Sequence, residues 1–201
     1  MPVELNFRQR WASYLTLLAA LVGVLGGALL HNQALNATQV FENKEAGISA
    51  RYPTNWLLQE GKTVGGALDF VFRAQDPSAL PFKTTLQVSL IPVGPQARAS
   101  DIPDLLNMSR ATAYAAYRPL SIVPVALTND IHGIQMTYAY VSTETNQFLQ
   151  SVPIAVEAQD VIVLHSSRAV IITYQADSQT FDGNHHYFDN FLTSLIQSLK
   201  S

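Results

Sequence analysis

Between Trp11 and Leu30 the chain reads WASYLTLLAALVGVLGGALL, twenty residues without a charge. As a helix rising about 1.5 Å per residue, this run reaches roughly 30 Å, the thickness of a bilayer's hydrocarbon layer. A helix buried in a small domain would keep one polar face. Here only Ser13, Tyr14 and Thr16 are polar, and they crowd one end. Trp11 and Tyr14 fall where aromatic side chains meet the membrane interface. Arg8 and Arg10 precede the run, and the next basic residue is Lys44. The positive-inside bias predicts a cytoplasmic tail over 1–10, a transmembrane helix over 11–30, a linker over 31–37 and an extracytoplasmic domain over 38–201. A cleaved signal peptide fits less well, because its apolar core is usually about 7–15 residues long. Ala34 and Ala37 also lack the A-x-A spacing. Gly23 and Gly27 form a G-x-x-x-G, the spacing that lets two helices approach closely in lipid.

The remainder has the composition of a folded domain. Hydrophobic residues make up 48% of the chain and charged residues only 13%, which excludes a disordered chain. With 12 basic and 15 acidic residues the net charge is -3, opposite in sign to a nucleic-acid binder. The absence of cysteine excludes disulfides, thiolate metal sites and a Cys nucleophile.

Periodicity predicts an α+β domain. Ala67–Gln75 and Lys83–Val93 alternate apolar and polar residues, the pattern of half-buried strands. Asp101–Tyr117 reads as a helix with Asp101 as cap, Pro103 in the first turn and Pro119 as the stop. Its apolar stripe is Ile102, Leu105, Leu106, Ala113 and Tyr117. Two hairpins follow, Leu120–Leu127 with Ile134–Ser142 and Ile154–His165 with Ala169–Ala176. Val170–Tyr174 is apolar or β-branched almost throughout, as in a strand covered on both faces. Asn184–Leu199 repeats apolar residues at i, i+3, i+4 and i+7, with Asp182 or Asn184 as its cap. Trp56, Phe70, Phe72, Leu86, Val88, Ile172, Phe188, Phe191 and Leu195 are expected in one core.

The stretch Glu45-Ala46-Gly47-Ile48-Ser49-Ala50-Arg51-Tyr52-Pro53-Thr54-Asn55-Trp56 resembles the opening of PsbP-like domains. Val170–Tyr174, Phe181 and the helix from Phe188 through Leu195 resemble their end, and the likeness spans most of Phe41–Leu199. It implies an α–β–α sandwich around a central antiparallel sheet and a non-enzymatic life beside membrane complexes. Such domains serve as extrinsic proteins on the lumenal side of the oxygen-evolving photosystem and as bacterial envelope lipoproteins. The chain departs from that pattern in carrying an apolar span and no cysteine for a lipid anchor. Within Tyr52-Pro53-x-x-Trp56 the motif is structural: Pro53 ends a strand and Trp56 turns a large ring onto the sheet.

Few residues read as chemical. Asp182, His185 or His186, and Asp189 have metal-ligand spacing, but lack a third strong ligand and fit a capped helix start. His132 and His165 sit beside turns without partners set by spacing. No G-x-S-x-G, Walker loop, G-x-G-x-x-G or H-E-x-x-H occurs. No catalytic, metal or cofactor residue is therefore assigned. Tyr114, Tyr117, Tyr138, Tyr140 and Arg118 are candidates for a recognition surface. These features predict a non-catalytic single-pass subunit, held in the lipid bilayer, whose outer domain docks on a larger integral membrane complex, photosynthetic or respiratory. The alternative is an anchored envelope domain for a small apolar or lipidic ligand, which requires a large apolar cavity. A filled core with an exposed apolar patch points instead to docking.

Overall fold

A computed structural model describes residues 7–35, 37–61, 70–128, 130–145 and 151–200, and within these no side chains at 7–10, 12–13, 28–35, 144–145 and 151. The chain divides into two units, Met1–Thr38 and Gln39–Ser201. In the first, helix α1 (Phe7–Leu35) covers the uncharged run and continues beyond both of its ends. Among the described residues no helix is long and apolar enough to cross a membrane. Ala12, Ser13 and Ala28–Leu30 of the expected span have side chains outside the described ones.

The second unit begins with a hairpin, β1 (Thr38–Asn43) and β2 (Ile48–Pro53), which forms its own two-stranded sheet. Then come β3 (Leu57–Glu60), β4 (Phe70–Gln75) and β5 (Thr85–Pro92). A short 3-10 turn, Ala99–Asp101, leads into α2 (Ile102–Ala113). Strands β6 (Ala115–Ala126), β7 (His132–Thr145), β8 (Ser151–His165) and β9 (Arg168–Asp177) precede α3 (Phe181–Ser198). Seven strands make one antiparallel sheet in the order β3-β4-β5-β9-β8-β7-β6.

Side chains alternate across a strand, so each face of this sheet has its own core. Ile172 and Tyr174 of β9 join Phe188, Phe191 and Leu195 of α3, while Ile171 joins Ile102 and Leu106 of α2. β9 lies in the middle of the sheet and is buried on both faces, as its unbroken apolar run predicts. The order helix–sheet–helix is the α–β–α sandwich expected of the domain. The β1–β2 hairpin packs on the α3 side, where Phe72 stacks on Phe191 at 5.1 Å and meets Phe41 and Tyr52. Pro53 ends β2, its carbonyl accepts from the Trp56 N–H at 3.1 Å, and the Trp56 ring packs on Tyr187.

Helix α3 also closes the free edge of β2. Ser194 Oγ accepts from Arg51 N–H at 2.8 Å and Ser198 Oγ from Ser49 N–H at 3.2 Å. The two serines are one turn apart, which matches the two-residue step along the strand. Each hydroxyl donates in turn to its own i−3 carbonyl.

Three expectations need correction. Phe70 is not in the core: a bulge between Phe70 and Phe72 shifts the register, so Phe70 pairs with Ser89 while Phe72 pairs with Val88. An extra residue reverses the alternation, and Phe70 turns to the α2 side, under the Arg73 guanidinium at 4.0 Å. Helix α2 ends at Ala113 rather than Tyr117; Tyr114 is extended and Ala116 has φ 52. Pro119 does not stop a helix but lies in β6, an edge strand, where a missing N–H is tolerated. Helix α3 starts at Phe181 with Thr180 as its cap residue, so Asp182 and Asn184 sit inside the first turn. Residues 67–69 of the first expected strand lie outside the described residues.

Candidate functional site

Helix α2 lies over one end of the sheet, and a buried ion pair stands beneath it. Asp160 of β8 is 0% exposed and Arg110 of α2 is 9% exposed. Arg110 Nη1 stands 2.5 Å from Asp160 Oδ2, and Thr173 donates to Oδ1 at 2.8 Å. The guanidinium also lies over the Tyr138 ring at 4.1 Å. Burial pushes the Asp160 carboxyl up from its ordinary range, against the opposing pull of Arg110 and Thr173. Arg110 keeps its proton more firmly than usual: burial opposes its charge, and the Asp160 carboxylate more than offsets that.

Around this pair the four tyrosines anticipated from the sequence come together. Tyr114 stacks on Tyr140 at 4.2 Å, Tyr117 leans on Tyr138 at 5.6 Å, and Tyr138 lies 6.3 Å from Tyr140. Tyr117 donates to Asn107 Oδ1 at 2.6 Å and Tyr140 to Gln175 Oε1 at 3.3 Å. Tyr138 is fully buried, and burial raises its hydroxyl pKa well above the usual value. Arg118 does not join them; it is exposed on β6, opposite Ala139. Besides Arg110, a second cation near the cluster is Arg73 of β4. Burial lowers its pKa, while the hydroxyls of Tyr114 and Tyr140 act to raise it. Its Nε donates to Gln87 Oε1 at 2.8 Å.

Beside this polar centre the surface turns apolar. Leu105 and Met108 of α2 are exposed, as are Leu120 and Ile122 of the neighbouring β6; Met108 is 75% exposed. The α2 stripe therefore differs from the expected one: Ile102, Pro103, Leu106 and Arg110 are buried, whereas Leu105 points outward. β6 is an edge strand that carries Pro119 and Pro124 and two register shifts. Prolines and bulges discourage another strand from pairing there. Apolar side chains are thus offered on a strand whose backbone resists strand addition.

The remaining sequence candidates are dispersed. His185 Nδ1 is 3.3 Å from Asp189 Oδ2 and its Nε2 is 3.3 Å from Gln159 Oε1. His186 Nδ1 is 3.0 Å from the Gly183 carbonyl. Among the described residues no group of three His, Asp or Glu side chains is placed to hold a metal. Gly23 and Gly27 of α1 have open space where a Cβ would stand, and Trp11 and Tyr14 are exposed. The Arg110–Asp160 pair was not anticipated. Its signal in the sequence is Asp160 inside Gln159-Asp160-Val161-Ile162-Val163, with Arg110 four residues after Leu106 and eight after Ile102 on the buried face of a helix.

Comparison with family models and with curated proteins gives no match. Among solved structures, cyanobacterial PsbP (CyanoP) from Synechocystis sp. matches with a TM-score of 0.57 and 12% identity, over 79% of this chain and 91% of that one. The Ran-binding protein Mog1p of Saccharomyces cerevisiae gives 0.49 at 8% identity, over 81% and 94%. LpqN of Mycobacterium tuberculosis, involved in cell envelope biogenesis, gives 0.46 at 9%, over 77% and 87%. The likeness to CyanoP shows that this chain carries a PsbP-like domain by fold.

Proposed function

We propose that this chain is a non-catalytic single-pass membrane subunit whose PsbP-like domain docks on a larger integral membrane complex of the photosynthetic or respiratory kind. The observation that carries the reading is the apolar strip of Leu105, Met108, Leu120 and Ile122, exposed beside two filled cores. An apolar or lipidic ligand would instead need an enclosed apolar cavity. Two clefts of the domain are open and bordered by charged side chains.

In this reading α1 is the anchor. Leu15, Leu17, Leu18, Leu21, Val22 and Val24 are exposed over one half of its circumference, and Ala19, Ala20 and Gly23 over the other. A helix apolar on all sides is at home in lipid rather than water. Trp11 and Tyr14 then sit at the cytoplasmic interface, residues 1–10 in the cytoplasm and the domain outside it. Gly23 and Gly27 present the surface for a partner helix.

The test is extraction in mild detergent, native separation and mass spectrometry of the co-migrating chains. The expected result is a large assembly that Met108→Asp combined with Ile122→Asp releases without unfolding the domain. Migration of the unaltered protein as a free monomer would refute the docking reading. Protease added to intact spheroplasts should remove the domain; protection there would reverse the topology.

A further inference from the structure

On the α2 side of the sheet the apolar core gives way to a polar floor at β5 and β4. Leu86 and Val88 of β5 and Phe72 and Ala74 of β4 belong to the core beneath α3. Their alternates, Arg73, Gln75, Thr85, Gln87 and Ser89, therefore face the α2 side, and of these only Arg73 is charged. Strand register sets Arg73 opposite Gln87, Gln87 opposite Thr173 and Thr173 opposite Asp160, one row from β4 to β8. The two ends of this row differ. Asp160 has Arg110 as its counter-ion. Among the described residues no carboxylate is paired with Arg73. Glu60 of the neighbouring β3 pairs in register with Phe72, so it stands on the opposite face.

Arg73 is also held in a set orientation. Its Nε donates to Gln87 Oε1 at 2.8 Å, and Gln87 Nε2 donates onward to Ser89 Oγ at 3.0 Å. The guanidinium carbon lies 4.0 Å from the centre of the Phe70 ring. With Nε committed, the two Nη groups remain as a fork of donors. The side chain is half-buried, so part of the cost of dehydrating this cation is already met in the free domain. The hydroxyls of Tyr114 and Tyr140 are close enough to act on its charge. Tyr140 is engaged with Gln175. Tyr114 is half-buried and stacked on Tyr140, and among the described residues its hydroxyl has no hydrogen-bond partner.

We infer that Arg73 is the anion-binding point of the docking face, where an Asp or Glu side chain of the partner subunit meets its Nη fork with the Tyr114 hydroxyl as a further donor. The inference rests on the docking reading above and names the partner's chemistry at that face. Two parallel N–H groups match the two oxygens of a carboxylate. One unpaired cation among neutral amides and hydroxyls balances one negative charge, whereas an anionic lipid surface calls for a cluster of cations. Tyr114 directly follows α2, which carries the exposed Leu105 and Met108, so the cation and the apolar strip lie on one side of the sheet. Apolar contacts around such a pair exclude water from it.

Carbodiimide coupling of the full chain in its native membrane tests this, because the reagent joins an amine to a carboxylate only where the two touch. Arg73→Lys supplies the amine, and mass spectrometry of the coupled peptides identifies the carboxylate. The expected product links position 73 to an Asp or Glu of a different polypeptide in the assembly. Arg73→Gln should raise the concentration at which the extracted assembly dissociates on dilution by about thirtyfold or more, as for one lost member of a buried charge pair at an interface. Its near-UV circular dichroism should be unchanged, since no ion pair within the domain is broken. Arg168→Gln, at the β8–β9 turn, should leave the assembly as it is. An assembly that Met108→Asp with Ile122→Asp releases but Arg73→Gln leaves intact would overturn the inference while the docking reading stands. Coupling of position 73 to no carboxylate, or to a second copy of this chain, would overturn it too. A free monomer in the unaltered protein would instead refute the docking reading and this inference with it.

Discussion

Replacing Asp160 by Asn tests whether α2 is pinned to the sheet by charge or by packing. The side chain is fully buried, and its Oδ2 faces Arg110 Nη1 at 2.5 Å. Asn retains the volume and a partner for Thr173 but leaves the Arg110 guanidinium with no counter-ion in the described structure around it. Removing one member of a buried ion pair costs about 3–5 kcal/mol, because the other charge stays desolvated. Such a loss is a large share of the roughly 5–15 kcal/mol that holds a domain together. Arg110→Met should cost a comparable amount, since the Asp160 carboxylate must then be protonated or stay buried as an anion. The double variant removes both charges, and about 2 kcal/mol or more of the single losses should not recur in it. Urea unfolding followed by Trp fluorescence gives all three values, and near-UV circular dichroism reports the tyrosines around the pair. A single-variant cost below about 1 kcal/mol, or a double-variant cost equal to the sum of the singles, would refute the reasoning.

Phe191→Ala should destabilise the domain by about 3–5 kcal/mol, because its ring is fully buried and stacked on Phe72; denaturant unfolding measures it. Ser166→Asn with Ser167→Gly should stabilise by about 1 kcal/mol in the same assay, since both positions have positive φ. Tyr52, Tyr117, Tyr138 and Tyr174 all have hydroxyl pKa values raised by burial. The fold therefore keeps protons that the unfolded chain gives up near pH 10, and stability should fall as pH rises past that value. Tyrosinate absorbance should show these four ionising at higher pH than the other tyrosines, and titration of all eight together in the folded protein would contradict it.

The sheet and the last helix were legible because their patterns are regular. Alternation marks β5, an unbroken apolar run marks β9, and the 3.6-residue repeat marks α3. What escaped the sequence was each place where tertiary structure breaks a local period. One inserted residue between Phe70 and Phe72 reverses the facing of Phe70, and no composition signal announces a bulge. Tyr117 sits at a helix-compatible spacing, yet its ring is drawn to Tyr138 and its hydroxyl to Asn107, and the backbone is extended by then. The tyrosine cluster could be guessed from residue type, but Arg73 as its cation could not, because strand register brings β4 and α2 to the same face. Arg110 was passed over for a related reason: a charge on an apolar helix face reads as noise until its partner on a strand fifty residues later is known.

The strand order has a consequence for how the domain assembles. Every pairing in the seven-stranded sheet joins strands adjacent in sequence except one, β5 with β9, where Thr85 meets Gln175 and Pro92 meets Arg168. The sheet is thus two meanders, β3–β5 and β6–β9, zipped along a single seam. Each meander closes short loops, whereas the seam must bring together segments separated by α2 and the first three strands of the second meander. Loop closure of that span is slow relative to hairpin formation, so the seam sets the pace of folding. Both cores depend on it, since Val88 and Ile172 meet on one face while Ser89 and Ile171 meet on the other. A chain cut between the meanders, in the connection that follows β5, should yield two fragments that recognise each other through this one interface.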